Sequence, residues 1–297
     1  NGEIYEPSFE KSDTEILNNK FINNELDDFL KHVSGEFCIC SIDAFKKEID
    51  IFSDLIKTKP LFYYVNNDFI GISSYKSALE NFNLQNIKEF EPNSHYKIDF
   101  SEFDNIKLEK KVLYELKLKQ YKLSLEDWNR KLLKSISQRI SHFKSVPFVP
   151  LSSGYDSGLI CCALNKLGIK YTSISLGDYE DLKILKKRIK INKKHSCIKH
   201  YYLPPLTKDD FYTFSKLIKE KLGEIKYSHL DGDRKKPIFL HEDGGAIGLA
   251  KICEFMKKKG FNCLLSGSGA DEIISDYGYI GACNITQISE QSFQETS

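Results

Sequence analysis

The sequence predicts two domains: an α+β domain of layered antiparallel sheets over residues 1–115, and an α/β domain, a parallel sheet with helices on both faces, over residues 124–297. Three observations predict this. The chain has 297 residues, more than one ordinary domain holds. Up to residue 100 it is a run of strand-like segments separated by turns, with only short helices between them. From residue 124 strand-like and helix-like segments alternate, as right-handed crossovers in a parallel sheet require.

In order, residues 36–42 read as a strand, and a turn over 43–47 leads to a second strand over 48–53. Residues 61–65 and 69–73 flank Asn66-Asn67-Asp68, which is hairpin chemistry. Short helices are expected at 14–18, at 24–32 with Asn23 or Asn24 as cap, and at 75–81. Residues 106–122, rich in Lys and Leu and free of Gly and Pro, read as a connector. Leu125, Trp128, Leu132, Leu133, Ile136, Ile140 and Phe143 recur at helical spacing. Strand 147–151, helix 157–167, strand 172–176, helix 181–191, strand 198–203 and helix 208–222 follow. A Gly/Asp/Lys-rich loop then leads to helix 246–259 and strand 262–265.

Composition excludes several roles. The net charge of +1 gives no field to draw the chain to nucleic acid or to an anionic membrane. Lys186-Lys187-Arg188 and Lys257-Lys258-Lys259 read as solvated helix faces. No stretch reaches the ~18–20 apolar residues that span a bilayer, and no basic segment followed by an apolar run opens the chain. The eight cysteines form no CxxC pair and read as small apolar core residues of a reducing, cytoplasmic compartment. His195 and His200 read as structural, and 241–245 either lines a pocket or caps a helix. Asn1 in place of Met, and the polar tail after residue 286, lead to the expectation that the chain is a piece of a longer one.

The most informative segment is Leu151-Ser152-Ser153-Gly154-Tyr155-Asp156-Ser157, set between a predicted strand and a predicted helix. Ligands of parallel α/β sheets bind at such strand ends. Gly154 permits close backbone approach, and the serine hydroxyls and helix N-terminal amides suit phosphate oxygens. A helix N-terminus stabilises an anion by only ~0.3–2 kcal/mol, too little for pyrophosphate. Asp156 adds repulsion unless it ligates a cation, and Mg2+ resolves the conflict. Taken alone, the segment also reads as a polar turn capping a helix. It has neither the GK[ST] ending nor the G-x-G-x-x-G pattern.

Leu264-Leu265-Ser266-Gly267-Ser268-Gly269-Ala270-Asp271-Glu272 repeats the design, an apolar strand running into a small-residue loop and then acids. Two such loops, at the ends of parallel strands in one sheet, can face each other across the crevice, where Asp156 and Asp271 would share one Mg2+.

These residues resemble a known family. Ser152 to Ser157 resembles the S-G-G-x-D-S loop of the ATP pyrophosphatases, and Ser266 to Glu272 resembles the S-G-x-G-[AS]-D-E loop of the asparagine synthetases. Asn1-Gly2-Glu3-Ile4-Tyr5 matches that family's N-G-E-I-Y segment, Ser12-Asp13-Thr14-Glu15 its S-D-x-E segment, and Asp54 with Lys59-Pro60-Leu61-Phe62-Tyr63 its D-x-x-G-x-x-P-L-Y stretch. The resemblance implies an Ntn-hydrolase-like glutaminase domain followed by a Rossmann-like ATP-pyrophosphatase domain. It implies adenylation of a carboxylate by ATP, release of pyrophosphate and attack by glutamine-derived ammonia, most simply converting aspartate to asparagine. It assigns Asn1 and Gly2 to an oxyanion hole and Glu3 and Asp13 to glutamine. Leu151 to Ser157, Leu176, Ser266 and Gly267 fall to ATP and pyrophosphate, Asp156 and Asp271 to Mg2+. Small-molecule substrates are the partners implied, with no nucleic acid and no membrane, and a homodimer is compatible.

The departures are specific. The family's nucleophile is a Cys ahead of N-G-E-I-Y, which this sequence does not contain. Ser153 stands for a Gly, Ser268 for an acid thought to assist amination, and Ser53 for an Arg. The region beyond Gly281 lacks the family's later helices and a catalytic Lys. Three readings follow: an amidotransferase piece, an adenylating ligase or cyclase whose nucleophile is a substrate amine, and a non-catalytic nucleotide-binding relative.

Overall fold

The computed structural model describes residues 2–5, 12–66, 69–102, 105–115, 121, 123–141, 143, 145–177, 180–227 and 238–268. The chain separates into two compact units, Asn1–Tyr121 and Lys122–Ser297.

In the first unit the strands are β1 (Gly2–Ile4), β2 (Gly35–Asp43), β3 (Glu48–Ser53), β4 (Phe62–Val65), β5 (Ile70–Ser73), β6 (Lys88–Glu89), β7 (Ser94–Asp99) and β8 (Lys107–Val112). The helices are α1 (Asp13–Ile22), α2 (Leu26–His32) and α3 (Lys76–Glu80). Five strands form an antiparallel sheet in the order β1-β2-β3-β7-β8, and three form a second in the order β5-β4-β6. Period-two alternation gives the large sheet two apolar faces. Cys38, Ile49, Ile51, Tyr96 and Ile98 pack with Leu61 and Tyr63 of the small sheet and with Phe90. Phe37 and Phe52, on the opposite face, pack with Leu26 and Leu30 of α2 and Val33. The result is a helix layer, a five-stranded sheet and a three-stranded sheet.

Two expectations fail here for local reasons. The connector expected over 106–122 contains β8, an edge strand with all six residues exposed. With neither face buried it carries no apolar alternation, and its lysines protect the free edge. Asn24 does not cap α2, because it takes φ 56° and its N–H donates back to Phe21. Glu25 takes the cap position instead, without a side-chain bond.

The second unit contains α4 (Glu126–Ser141), β9 (Phe148–Pro150), α5 (Tyr155–Leu167), β10 (Tyr171–Leu176), α6 (Leu182–Lys193), β11 (Cys197–Leu203), α7 (Lys208–Leu222), β12 (Lys226–Tyr227), β13 (Ile238–Phe239) and α8 (Gly244–Lys258). β9, β10 and β11 form a parallel sheet in the order β11-β10-β9. Leu264 extends it with a parallel bridge to Phe148, fixed by Phe148 N–H to Cys263 O at 2.8 Å and Leu265 N–H to Phe148 O at 2.9 Å. The two sheet faces bury different residues. Val149, Leu151 and Tyr171 pack with Ile136 of α4, Leu164 of α5 and Leu185 of α6. Phe148, Ile174 and Leu203 pack with Ile252 and Met256 of α8, and α7 packs on α8 through Phe214, Ile218 and Ile247. Each such side chain contributes about 1.5–3 kcal/mol when fully buried. The sheet therefore has helices on both faces.

Helix ends follow their caps. Asp181 accepts from the Lys183 and Ile184 amides, Thr207 and Asp210 form a capping box, and Asp243 accepts from the Ala246 amide. No helix among the described residues is long and apolar enough to cross a membrane.

Candidate functional site

β9 delivers the loop that the sequence singles out. Leu151, 1% exposed, is the last sheet-bound residue, with its N–H on Ile174 O at 2.7 Å and its carbonyl accepting from Ser175 Oγ. The chain then leaves the sheet and α5 begins at Tyr155 behind the extended cap residue Gly154, two residues earlier than expected. The serines close the loop on itself. Ser157 Oγ accepts from Ser152 N–H at 2.9 Å and lies 2.8 Å from Ser152 Oγ. Ser152 Oγ accepts from Gly154 N–H at 3.1 Å. Tyr155 is 90% exposed and Ser157 8% exposed, so the tyrosine faces solvent and the serine is structural.

Two groups that sequence reading missed hold this loop, Arg188 on α6 and Glu180 just ahead of that helix. Arg188 donates to the carbonyls of Ser152, at 3.0 Å, and Gly154. The Ser153 N–H donates to the Glu180 carboxylate, while Ser153 Oγ accepts from Asp181 N–H at 3.1 Å. The expectation that Lys186-Lys187-Arg188 is a solvated face is therefore corrected at Arg188. α6 turns its guanidinium inward because unpaired carbonyls at the loop need a donor. The available signal was the single Arg in a lysine-rich helix, since Arg suits fixed multiple acceptors better than Lys does.

The second loop meets the first. Ser266 follows Leu265 on the strand edge, and Ser266 Oγ accepts from Ser268 N–H at 3.0 Å. Gly267 sits so close that an added Cβ would lie 2.7 Å from Asp156 Cβ and 3.0 Å from Ser157 N. The small-residue loop is thus seated against the start of α5, at the ends of neighbouring parallel strands. Asp271, the expected second carboxylate, lies outside the described residues. Leu176, at the same end of β10, is followed by Gly177, whose N–H bonds Leu203 O at 2.9 Å. An open groove of about 360 Å³ between α5 and α6, lined by Leu159, Cys162, Arg188 and Ile191, adjoins Tyr155 and Asp156.

In the first unit Gly2 takes φ 124°, and a Cβ there would lie 1.9 Å from Glu36 O, so glycine is required. Glu3 follows it on β1, exposed. Asp13, in the first turn of α1, accepts from Ile4 N–H at 2.8 Å, which brings the expected acidic residue beside Glu3 and Ile4. Asn1 lies outside the described residues. Asp54, 5% exposed, accepts from the Phe37, Ile56 and Thr58 amides and the Thr58 hydroxyl. It shapes the turn after β3. Ser53, 1% exposed, donates to Glu91 O at 2.7 Å and fills no arginine's role at the surface.

Four of the described cysteines are poor nucleophiles. Burial pushes the Cys38 and Cys161 thiols up to about 12, and burial also raises Cys40 and Cys253. His200 faces Ser173 Oγ at 2.8 Å through Nδ1, and burial, aided by the Lys193 charge, pulls it down to about 4. Its Nε2 and the Nδ1 of His241 are buried and make no hydrogen bond.

Comparison with known proteins adds to this geometry. Residues 3–81 match a protein family described as a glutamine amidotransferase domain. "Putative asparagine synthetase (glutamine-hydrolyzing) 1" of Methanocaldococcus jannaschii is 25% identical over 290 residues, covering 90% of this chain and 48% of the relative. Together these matches support the asparagine synthetase family. The chain spans about half the length of that asparagine synthetase relative. Solved structures with some likeness include an NH3-dependent NAD synthetase from Campylobacter jejuni, 13% identical, TM-score 0.34, over 54% of this chain and 63% of that one. Another is the glutamine phosphoribosylpyrophosphate amidotransferase from B. subtilis, 11% identical, TM-score 0.31, over 88% and 66%. Scores of that size add nothing to the family placement.

Proposed function

We propose that the chain is part of a glutamine-dependent enzyme that amidates a carboxylate through an acyl-adenylate, with aspartate as the carboxylate. Residues 1–115 are read as an Ntn-hydrolase-like glutaminase domain, with Gly2 beside Asn1 at the oxyanion hole and Glu3 and Asp13 at glutamine. Residues 124–297 are read as an ATP-pyrophosphatase domain. The observation that carries this reading is the seat of Gly267 against Asp156 and Ser157, because it joins two loops 110 residues apart at one end of one parallel sheet.

The donor set fits ATP with Mg2+. Hydroxyl and amide groups at the start of α5 suit pyrophosphate oxygens, and Asp156 beside them needs a cation to coexist with phosphate. Asp156 and Asp271 would hold the ion, which would neutralise the phosphates. The chain's own groups then act by placement. The loop from Leu151 to Ser157, with Ser266 and Gly267, orients the β- and γ-phosphates in line with the attacking carboxylate oxygen. The backbone at Leu176 contacts adenine. As the carboxylate–phosphorus bond forms, the bond to the bridging oxygen breaks and pyrophosphate leaves with the electron pair.

Ser268 favours a second reading at the amination step. Its Oγ lies 2.7 Å from Ser266 Oγ, so it supplies no carboxylate to accept a proton from ammonia. A substrate amine carrying its own base nearby would need none, as in a cyclase. ATP–pyrophosphate exchange with aspartate and with other carboxylates separates the two. Asp156→Ala should reduce exchange to background under either, and exchange at the wild-type rate in that variant defeats the proposed site.

A further inference from the structure

The phosphate loop already holds an anion of its own. Arg188 donates to the carbonyls of Ser152 and Gly154. A trans peptide unit points its N–H opposite to its carbonyl, and there is no cis peptide bond among the described residues. Arg188, by holding the carbonyls of Ser152 and Gly154, therefore turns the N–H groups of Ser153 and Tyr155 away from its own guanidinium. Gly158 leaves room for this clamp, since a Cβ there would lie 2.9 Å from the Arg188 guanidinium carbon. The Ser152 amide is taken by Ser157 Oγ and the Gly154 amide by Ser152 Oγ, both within the loop. The Ser153 amide is different, because it is taken by a carboxylate from outside the loop, that of Glu180. Asp181 N–H on Ser153 Oγ latches the same residue.

We propose that Glu180 is an internal counter-ligand of the phosphate loop: its carboxylate occupies the Ser153 amide, which Arg188 orients, and a phosphate group must displace it to bind. This rests on the nucleotide reading of the loop. A carboxylate and a phosphate oxygen compete for the same donor by the same charge-assisted hydrogen bond. The closed form therefore lowers apparent affinity by the fraction of molecules in which Glu180 is seated. Its effect is to make the empty loop a poor site for stray anions.

The test is calorimetric titration of the full 297-residue chain with inorganic pyrophosphate and with MgATP. Glu180→Ala should tighten both about tenfold. Glu180→Gln keeps the shape and an acceptor but loses the charge, and should fall between the two. Asp181→Asn removes an equal charge one residue away from a side chain that caps α6, and should stay within about twofold of wild type. Melting temperatures establish that all three fold. Unchanged or weaker binding in Glu180→Ala, with wild-type binding intact, overturns the counter-ligand alone. Equal tightening by Asp181→Asn also overturns it, since charge rather than displacement would be the cause. Absence of binding in wild type and all variants overturns the nucleotide reading as well.

Discussion

Replacing Gly267 by Ala tests the contact on which the site depends. The added methyl would lie 2.7 Å from Asp156 Cβ, 2.8 Å from the Asp156 carbonyl carbon and 3.0 Å from the Ser157 nitrogen. Non-bonded carbons are most stable at about 3.5–4.0 Å, so the methyl needs roughly 1 Å more room. Two of the three atoms are main chain in the first turn of α5 and cannot rotate aside. Both walls are anchored: Ser157 by its bond to the Ser152 amide, and the Gly267 loop by Leu265 N–H on Phe148 O. Overpacking of this kind costs about 1–3 kcal/mol. For a unit the size of Lys122–Ser297 this lowers Tm by about 3–10 °C. A displacement of about 1 Å in a positioning group costs roughly a hundredfold in rate. Calorimetry should therefore show the drop in Tm, and ATP–pyrophosphate exchange should fall about a hundredfold. Wild-type exchange and an unchanged Tm would refute the contact and the shared site built on it.

Two further outcomes concern the frame around the sites. Asp54→Asn replaces a buried acceptor of four hydrogen bonds by a group with a donor facing donors, and should destabilise the first unit by about 2–4 kcal/mol, read from the urea midpoint. A midpoint within error of wild type would show that the carboxylate does not organise the turn. His200, held neutral by burial and the Lys193 charge, has its folded pKa lowered to about 4. A lowered folded value means that its contribution is complete above the unfolded pKa of about 6.5 and is lost as pH falls towards 4. The residue is partly buried, and screening reduces this to about 1–2 kcal/mol. The wild-type loss of stability between these pH values should be smaller in His200→Phe, and an identical pH profile would rule out the histidine as its source.

Much of the second unit is legible in sequence because its strands are buried on both faces and its helices are amphipathic. The limits of α7, Lys208–Leu222, follow from its capping box and apolar spacing. Residues whose role is set by distant partners are not legible. β8 has no buried face, so its pairing with β7 is a matter of backbone hydrogen bonds that any side chains would permit. Arg188 sits in a run of basic residues and differs from its neighbours only in what the fold places above it. Asp54 could be picked out by resemblance, but its four donors come from Phe37, Ile56 and Thr58, and only the folded turn shows why an acid stands there. The two loops could be named individually, while their contact depends on Leu264 lying beside Phe148, a single bridge without periodic signal.

The bonding within the first loop also limits what it can contribute to affinity. The amides of Ser152, Ser153 and Gly154 all have acceptors before any ligand arrives. A phosphate oxygen that takes one of them exchanges a hydrogen bond instead of adding one, so the net gain is small. The α5 N-terminus adds about 0.3–2 kcal/mol. Neither holds a multiply charged leaving group tightly, so on the proposed reading tight binding requires the cation and the nucleoside. The serine network then serves direction: Ser157 and Ser152 hold the loop in one shape before the substrate enters, and the ordering cost is met during folding rather than at the reaction step.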